Sequence, residues 1–427
     1  MTIYPTYKDS GIKWFGQIPT HWEVRKIKNC LQERSEKGYP NEPILCATQS
    51  RGVIPHDMYD NRVVVVNKDF DKLKLVKCGD FVISLRSFQG GIEYAYYQGI
   101  ISAAYTILTP KDKHNREYFK HLFKSHDFIQ LLQTCVTGIR EGQNINYDML
   151  AKHFVPVPPQ EEQRQIVAYL DYKSNKINER ICQRERELQT LSELKQAEIA
   201  AVVTRGLDPN VPMKESGIEW IGQIPAHWEI KYLSQIAEEH YISNKNVHHQ
   251  NLLSLSYGRI VRKDINTTEG LLPASFDTYQ VIEKGNIILR LTDLQNDHKS
   301  LRIGLVTEEG IITSAYICIQ SRQAILPEYL YLLLHSYDIC NVFYGMGGGL
   351  RQSLSYADIK RIPIIIPAIS EQVEIIKHIN AKTKNIDIYM ESLKKEIELL
   401  QEYKQRLISD VVTGKVDVRG VEIPNEE

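Results

Sequence analysis

The sequence predicts an α+β protein in which one mixed α/β domain, each time followed by one long helix, is written twice. Three observations predict it. A 17-residue segment recurs about half a chain later, and matching strand-like fragments follow each copy in the same order. Each copy then closes on a long stretch without Pro or Gly, whose apolar residues recur every seven positions. A heptad period of that kind marks a coiled coil.

Composition narrows the class before any motif is read. The chain has 427 residues, 42% hydrophobic and 25% charged, with Lys+Arg 52 against Asp+Glu 53 and a net charge of −1. Two or three ordinary domains fit that length, and so balanced a charge gives no overall positive field for nucleic acid or membrane. A disordered chain would be poorer in apolar residues and more highly charged. The longest apolar run, Ile362–Ile369, is strand-sized and far short of the roughly 20 residues of a membrane span. The N-terminus lacks a basic segment leading into an apolar one. Seven scattered cysteines with no CxxC pair suit reduced thiols and offer neither a disulfide framework nor a zinc site. The expectation is a soluble, cytoplasmic protein.

The repeat opens with KDSGIKWFGQIPTHWEV at 8–24 and KESGIEWIGQIPAHWEI at 214–230, identical at 12 of 17 positions. Gly79–Ile83 then matches Gly285–Leu289, and Gly99–Tyr105 matches Gly310–Tyr316. Farther on, Gln143 and Tyr147 match Gln352 and Tyr356, Glu162-Gln163 matches Glu371-Gln372, and Val202–Thr204 matches Val411–Thr413. A period near 208 residues, read from these pairs, is too long for a solenoid and means two copies of one unit. Between the anchors the copies diverge, as in Ser84–Tyr97 against Arg290–Leu305. Such loops have either drifted after duplication or come to read different things within a common frame.

Within each copy the elements follow from local pattern. Short β-branched and aromatic runs separated by Gly, Pro and Asn predict strands and turns, with Val63–Val66 and Ile287–Leu291 as buried strands. Amphipathic helices are expected over Tyr118–Leu132 and Glu328–Leu334. VPVPP at 155–159 and IPIIIP at 362–367 predict closing strands that proline keeps from becoming helix. The repeated His21-Trp22 and His227-Trp228, each two residues after a proline, read as a packing corner.

The long helices are predicted from Gln160 to about Val203 and from Ser370 to about Val412, Ser370 serving as a helix start. In the second, one seam line runs Ile379, Ile386, Leu393, Leu400, Leu407, and its companion passes through Ile376, Thr383, Met390, Ile397, Lys404 and Val411. The first keeps the register more weakly: Leu170, Ile177, Arg184, Leu191, Glu198, with Val167, Ser174, Ile181, Leu188, Lys195, Val202. At 1.5 Å per residue each makes a rod of roughly 60 Å. Acidic and basic residues number eight and eight in 160–205 and eight and seven in 370–413. Rods so balanced are suited to packing and spacing, not to tracking a polyanion.

No catalytic constellation emerges. There is no GxxxxGK[ST] loop and no HExxH, and GMGGG at 345–349 lacks the strand–loop–helix setting and later acidic partner of a dinucleotide site. His248-His249 has no ligand spacing around it. The Asn/Asp-Pro-Pro-aromatic signature of amino-methyltransferases is missing. No cofactor or metal is expected in this chain.

With these residues in view, the chain closely resembles the specificity (S) subunits of type I restriction-modification enzymes. The opening segments at 11–24 and 217–230 resemble the starts of that family's target recognition domains. GIREGQNINYDML with VPVPPQEEQRQIVAYLD, and GGGLRQSLSYADI with IIIPAISEQVEIIKHI, resemble its junctions into conserved helix. The likeness covers nearly the whole chain in both halves. It departs where Gly142 stands opposite Arg351 and Gln160 opposite Ser370.

The resemblance implies two target recognition domains separated by two long conserved helices, which form an antiparallel coiled coil with pseudo-two-fold symmetry. The implied layout is recognition domain 1 at 1–159, central spacer helix 160–205, recognition domain 2 at 206–369, distal spacer helix 370–413 and a tail at 414–427. It implies a non-catalytic subunit that reads a bipartite asymmetric site in double-stranded DNA, one half per domain. Two methyltransferase (modification) subunits would dock on the helices and flip and methylate an adenine. Motor-nuclease (restriction) subunits can join, and S-adenosylmethionine, ATP and Mg would belong to these partners.

Base readers are expected among polar residues of the divergent loops: Arg86, Ser87 and Gln89 in the first copy, Arg290, Thr292 and Gln295 in the second. Arg140, Gln143 and Asn144, with Arg351, Gln352 and Ser353, lie at the Gly-rich turns. Arg can grip guanine and Gln or Asn adenine with two hydrogen bonds, for about 1–3 kcal/mol of discrimination. Leu170, Ile177, Ile181, Leu188 and Leu191, with Ile379, Ile386, Met390, Leu393, Ile397, Leu400 and Leu407, are the expected coiled-coil seam. Charge divides unevenly: region 1–159 has 21 basic and 16 acidic residues, net +5, and region 206–369 has 14 and 17, net −3. DNA-binding domains are usually basic, so the partners are expected to supply much of the positive charge. The rival readings are a helical scaffold that never touches DNA and a self-contained methyltransferase or nuclease.

Overall fold

The computed structural model describes residues 2–424 except 13, 60–68, 113–115, 138–143, 247–248, 265–274, 295–300 and 347–352. Val63–Val66, His248 and most of the GMGGG segment lie outside the described residues. The chain divides into two compact units. One comprises Met1–Glu185 with Lys394–Glu427, the other Arg186–Leu393. The division runs through both long helices, so each unit owns half of each.

In the first unit a four-stranded antiparallel sheet has the order Leu31–Arg34, Thr106–Pro110, Phe81–Ile83, Glu93–Tyr94. In the second the order is Ala237–Glu239, Ile317–Ser321, Ile287–Leu289, Ile303–Leu305. Registers repeat as well: Val82 pairs with Ile107, and Ile288 with Cys318. Each unit adds a hairpin, Leu45–Thr48 with Gly52–Pro55 in the first and Leu253–Ser256 with Arg259–Arg262 in the second. The repeated Gly-Asp and Gly-Asn pairs shape one turn. Asp80 Oδ2 accepts from the Lys77 amide and Asn286 Oδ1 from the Glu283 amide, each at 2.8 Å.

The closing strands form as the proline pattern requires. Phe154–Val157 pairs with Glu23–Lys26, and Pro363–Ile366 with Glu229–Tyr232. The strand over Ile287–Leu291 stops at Leu289. The helix expected over Tyr118–Leu132 is two helices, Arg116–Leu122 and His126–Thr134. At Ser125 the hydroxyl donates to the Leu122 carbonyl at 2.7 Å, and competing for a backbone acceptor in this way favours a break. Its counterpart extends farther than expected, over Pro327–Ile339. It tolerates the same local bond, Ser336 to the Leu333 carbonyl at 2.7 Å.

The central helix spans Gln160–Arg205 and the distal helix Ile369–Val412. In the first unit, Ile166, Leu170 and Ile177 share a core with Leu407, Val411 and Val412, and Ile181 and Leu400 pack on it half-buried. In the second, Ile199, Val202 and Val203 share a core with Ile375 and Ile379. Leu188, Leu191, Ile386, Met390 and Ile397 are half-buried, and Leu393 is buried. Cross-helix bonds show the direction. In the first unit Arg184 Nε meets Glu396 at 3.0 Å and Lys404 Nζ meets Asn178 at 2.8 Å. In the second Lys195 meets Asp387 at 2.7 Å and Lys382 meets Glu198 at 2.7 Å. Higher numbers on one helix face lower numbers on the other, so the pairing is antiparallel. Arg184, Lys195 and Glu198, which weaken the heptad of the central helix, make three of these four bonds.

Candidate nucleic-acid interface

The repeated His-Trp corner is the best-defined polar feature of each unit. Trp22 is fully buried, and its indole donates to Glu162 Oε1 at 2.9 Å, while His21 Nε2 lies 2.6 Å from Glu162 Oε2. Tyr4 donates its hydroxyl to the same carboxylate. In the second unit Trp228 and His227 both reach Glu371 Oε2 at 3.0 Å. A glutamate in the first turn of a helix also suits the helix dipole. The neighbouring glutamines match: Gln163 Nε2 donates to the Pro158 carbonyl at 2.8 Å and Gln372 Nε2 to that of Pro367 at 2.9 Å. Each corner thus fastens its unit to the start of one long helix.

The other long helix is held at its end. Tyr118 donates to the Val412 carbonyl at 2.9 Å, and Tyr329 to that of Val203 at 3.0 Å. The chain leaves both helices through glycine, Gly206 at φ +76° and Gly414 at φ +73°. A Cβ at Gly414 would sit 2.4 Å from Pro19 Cδ and 3.2 Å from Trp22, so this exit presses against the corner itself.

On this frame the divergent loop of the first unit leaves the strand Phe81–Ile83. Arg86 and Gln89 are exposed. Ser87 is 1% exposed and its hydroxyl accepts from the Ser84 amide at 2.8 Å, so it shapes the turn and does not face outward. Beneath the loop Lys124 Nζ donates to the Gly90 carbonyl at 2.9 Å and to Glu93 Oε1 at 2.6 Å, and reaches the Gln49 carbonyl at 3.3 Å. Burial raises the Glu93 carboxyl to about 7 against the pull of Lys124, and burial lowers the Lys124 amine.

In the second unit the loop after Ile287–Leu289 places Arg290 and Thr292 half-buried. A fully buried arginine, Arg302, holds it from below, donating through Nη1 to the carbonyls of Arg290 at 3.1 Å and Thr292 at 2.8 Å. Arg302 Nε also donates to the Tyr344 hydroxyl at 3.0 Å, and the Arg302 amide to Asp338 Oδ2 at 2.6 Å. The Leu354 amide donates to the Leu291 carbonyl at 2.8 Å, which brings the segment of Ser353 beside this loop. In the first unit Asn144 is exposed on a short strand pairing with Val136–Thr137. The preceding helix reaches the loop through Gln133 Nε2 and the Phe88 carbonyl, 3.3 Å apart. Arg140, Gln143, Gln295, Arg351 and Gln352 lie outside the described residues.

Sequence reasoning missed Lys124, Glu93 and Arg302. The supporting cation comes from the turn between two helices in one unit and from a strand edge in the other, so the repeat alignment places no cation opposite a cation. Also missed were the hairpin tips Gln49–Arg51 and Tyr257–Gly258, whose neighbours along the chain carry no signature. Among the described residues no group of His, Cys, Asp and Glu is arranged to hold a metal ion, and no helix is long and apolar enough to cross a membrane. The described cysteines are free thiols.

Two copies of a mixed domain, each clamped to a helix start through Glu and to a helix end through Tyr, define a duplicated scaffold built on two long helices. The family profile for the type I restriction modification DNA specificity domain matches residues 19–188 and again 227–399, most of the chain, and the chain belongs to that family. The MjaVIII type I restriction enzyme specificity subunit of Methanocaldococcus jannaschii is 22% identical over 98% of this chain and 99% of its own. A candidate MjaX specificity subunit of the same organism is 24% identical over 97% and 98%. A chain solved in work on complex assembly and conformational transition of the type I R-M system covers 93% of this chain and 99% of its own. It matches with a TM-score of 0.61 at 14% identity, a likeness of fold. The chain is a type I restriction-modification specificity subunit.

Proposed function

We propose that each unit reads one half of a bipartite, asymmetric site in double-stranded DNA, and that the paired helices set the gap between the halves. Two methyltransferase subunits dock on those helices, and motor-nuclease subunits join through them. The chain itself supplies address and scaffold and carries out no chemistry. The observation that carries this reading is the contrast between a repeated frame and divergent loops. Sheet order, strand register, Glu–Trp clamp and Tyr–carbonyl bond recur, while Ser84–Gly91 and Arg290–Leu294 share neither sequence nor supporting cation. Sequence in DNA is read by side chains at base edges while phosphate contacts position the domain. A constant frame with variable edges is what two different half-sites require.

Arg86, Gln89, Asn144, Arg290, Thr292 and Ser353, with Arg140, Gln143, Gln295, Arg351 and Gln352, are the proposed reading set. Half-sites about one helical turn apart have their centres roughly 34–36 Å from each other along the duplex. The near-neutral charge places much of the phosphate attraction on the partner subunits. The test is a mobility shift on duplex carrying the site found by methylation sequencing of the source cell, with and without methyltransferase subunits. Specific binding is expected with the partners and weak binding without them. Salt-tolerant nanomolar binding by the chain alone would overturn the charge argument, and no sequence-specific binding in either case would leave the scaffold reading.

A further inference from the structure

The hairpin of the second unit turns in two residues, because Ser256 pairs with Arg259 across Tyr257-Gly258. Both turn residues have positive φ, 45° for Tyr257 and 75° for Gly258, so the turn is of the I′ kind. Its first position favours Asn, Asp or Gly, which enter left-handed backbone most readily. The other non-glycine residues with positive φ among the described residues are Asp69, Asp293 and Asn341. Tyr257 alone is aromatic, and it is 77% exposed. An exposed ring in backbone that disfavours it contributes nothing to folding that Asn would not supply better. Residues held in this way concentrate at ligand-contacting sites.

Position gives the ligand. The Gly258 amide donates to the Leu301 carbonyl at 3.2 Å, and the Gly258 carbonyl accepts from Tyr331 at 3.4 Å. The residue after Leu301 is Arg302, whose guanidinium holds the carbonyls of Arg290 and Thr292. Tip and proposed reading loop are therefore fastened to one another, with Arg259, the first residue after the turn, exposed on the hairpin. The first unit has the same juxtaposition with other residues. Thr48 pairs with Gly52 across Gln49–Arg51, and Lys124 reaches both the Gln49 and the Gly90 carbonyls.

We propose that Tyr257, at the tip of the Leu253–Arg262 hairpin, is a specificity-determining DNA contact of the second unit, entering a groove beside the Arg290–Asp293 loop. The major groove of B-DNA admits a two-stranded ribbon. A tyrosine at its tip offers a flat apolar face to a thymine methyl and a hydroxyl that can donate to or accept from a base edge. This rests on the reading of the chain as a DNA-recognition subunit and adds a position outside the loops already assigned.

The experiment uses the full chain with its methyltransferase subunits on the mapped site and on a panel of single-base substitutions across both halves. Tyr257→Ala is expected to reduce discrimination about 10-fold at one or more positions of one half-site and to leave the other half within twofold. Tyr257→Asn is expected to melt no lower than the parent, since Asn suits the turn, and to lose the same discrimination, which separates lost reading from lost folding. Tyr257→Phe separates the hydroxyl from the ring: parental discrimination assigns the contact to the ring face, and an alanine-like loss assigns it to the hydroxyl. Parental discrimination by both Ala and Asn variants overturns the proposal alone. A parent complex that discriminates nowhere overturns the DNA-recognition reading and this proposal with it.

Discussion

Tyr118 donates its hydroxyl to the backbone carbonyl of Val412, 2.9 Å away and 294 residues along the chain. The last carbonyls of a helix have no partner within it, so this one is satisfied by the domain. Tyr118→Phe keeps the ring and leaves the carbonyl buried and unbonded, at a cost of about 1–3 kcal/mol. Denaturant unfolding of the parent and of Tyr118→Phe measures it, and Tyr329→Phe should repeat it through Val203. Unchanged midpoints for both variants would show that these bonds hold nothing.

The two glutamate clamps are built alike and should differ in strength. Glu162 is 6% exposed and serves Tyr4, His21 and Trp22. Glu371 is half-buried and serves His227 and Trp228. Removing an acceptor strands its buried donors at roughly 1–3 kcal/mol each. Glu162→Ala should therefore destabilise the chain by more than Glu371→Ala. Equal losses would mean that the extra Tyr4 bond and the deeper burial are without effect.

The clamp also shows what sequence could and could not reveal. His21-Trp22 and Glu162 were each visible as repeated residues, and the corner could be read as structural, but nothing in spacing says that residues 140 apart meet. The heptads were legible because a helix seam is a local, periodic pattern, and even its polar interruptions at Arg184, Lys195 and Glu198 kept the register. The apolar period of Tyr118–Leu132 predicts one continuous helix, because the short turn after Leu122 leaves that period intact. Tyr257 was invisible because a hairpin tip with Tyr in place of Asn lacks the usual turn signature. Lys124, half-buried, and Arg302, fully buried, were hidden for another reason: such a cation looks like any surface Lys or Arg until tertiary packing gives it partners.

Glu93 gives the first unit a pH dependence of definite sign. Its folded value of about 7 lies above the ordinary 4.5, so the fold favours the protonated form. Between about 4.5 and 7 the unfolded chain ionises at this residue before the folded one does. The stability it contributes is therefore full below 4.5 and is lost as pH rises through 7. Lys124 is the charged group facing it. Glu93→Gln should remove this component, so that melting temperature falls less between pH 5 and 8 than in the parent. Parallel profiles for the two would assign the slope elsewhere.

Arg86 is exposed on the loop that Lys124 supports, and its guanidinium suits guanine O6 and N7. Under the proposed function Arg86→Ala should relax recognition in one half-site by about 1–3 kcal/mol at a single base pair, the worth of a bidentate contact. Methylation mapping in cells carrying the variant reads both halves at once. Equal damage to both would indicate lost folding, and an unaltered motif would remove Arg86 from the reading set.

The spacer role makes a separate demand on the central helix. Its seam repeats every seven residues through Leu170, Ile177, Leu191 and their companions, so a seven-residue insertion between 175 and 200 that continues the heptad keeps the apolar line. It lengthens the rod by roughly 10 Å at 1.5 Å per residue, which is about three base pairs of duplex at 3.4 Å per pair. The loops and hairpin tips lie outside the insertion, so the half-sites should be unchanged while the gap between them changes. Methylation mapping distinguishes the outcomes, provided that the variant retains the parent's helical circular dichroism and its binding of methyltransferase subunits. A folded, assembled variant that modifies sites of the original spacing would show that the helices do not measure the gap.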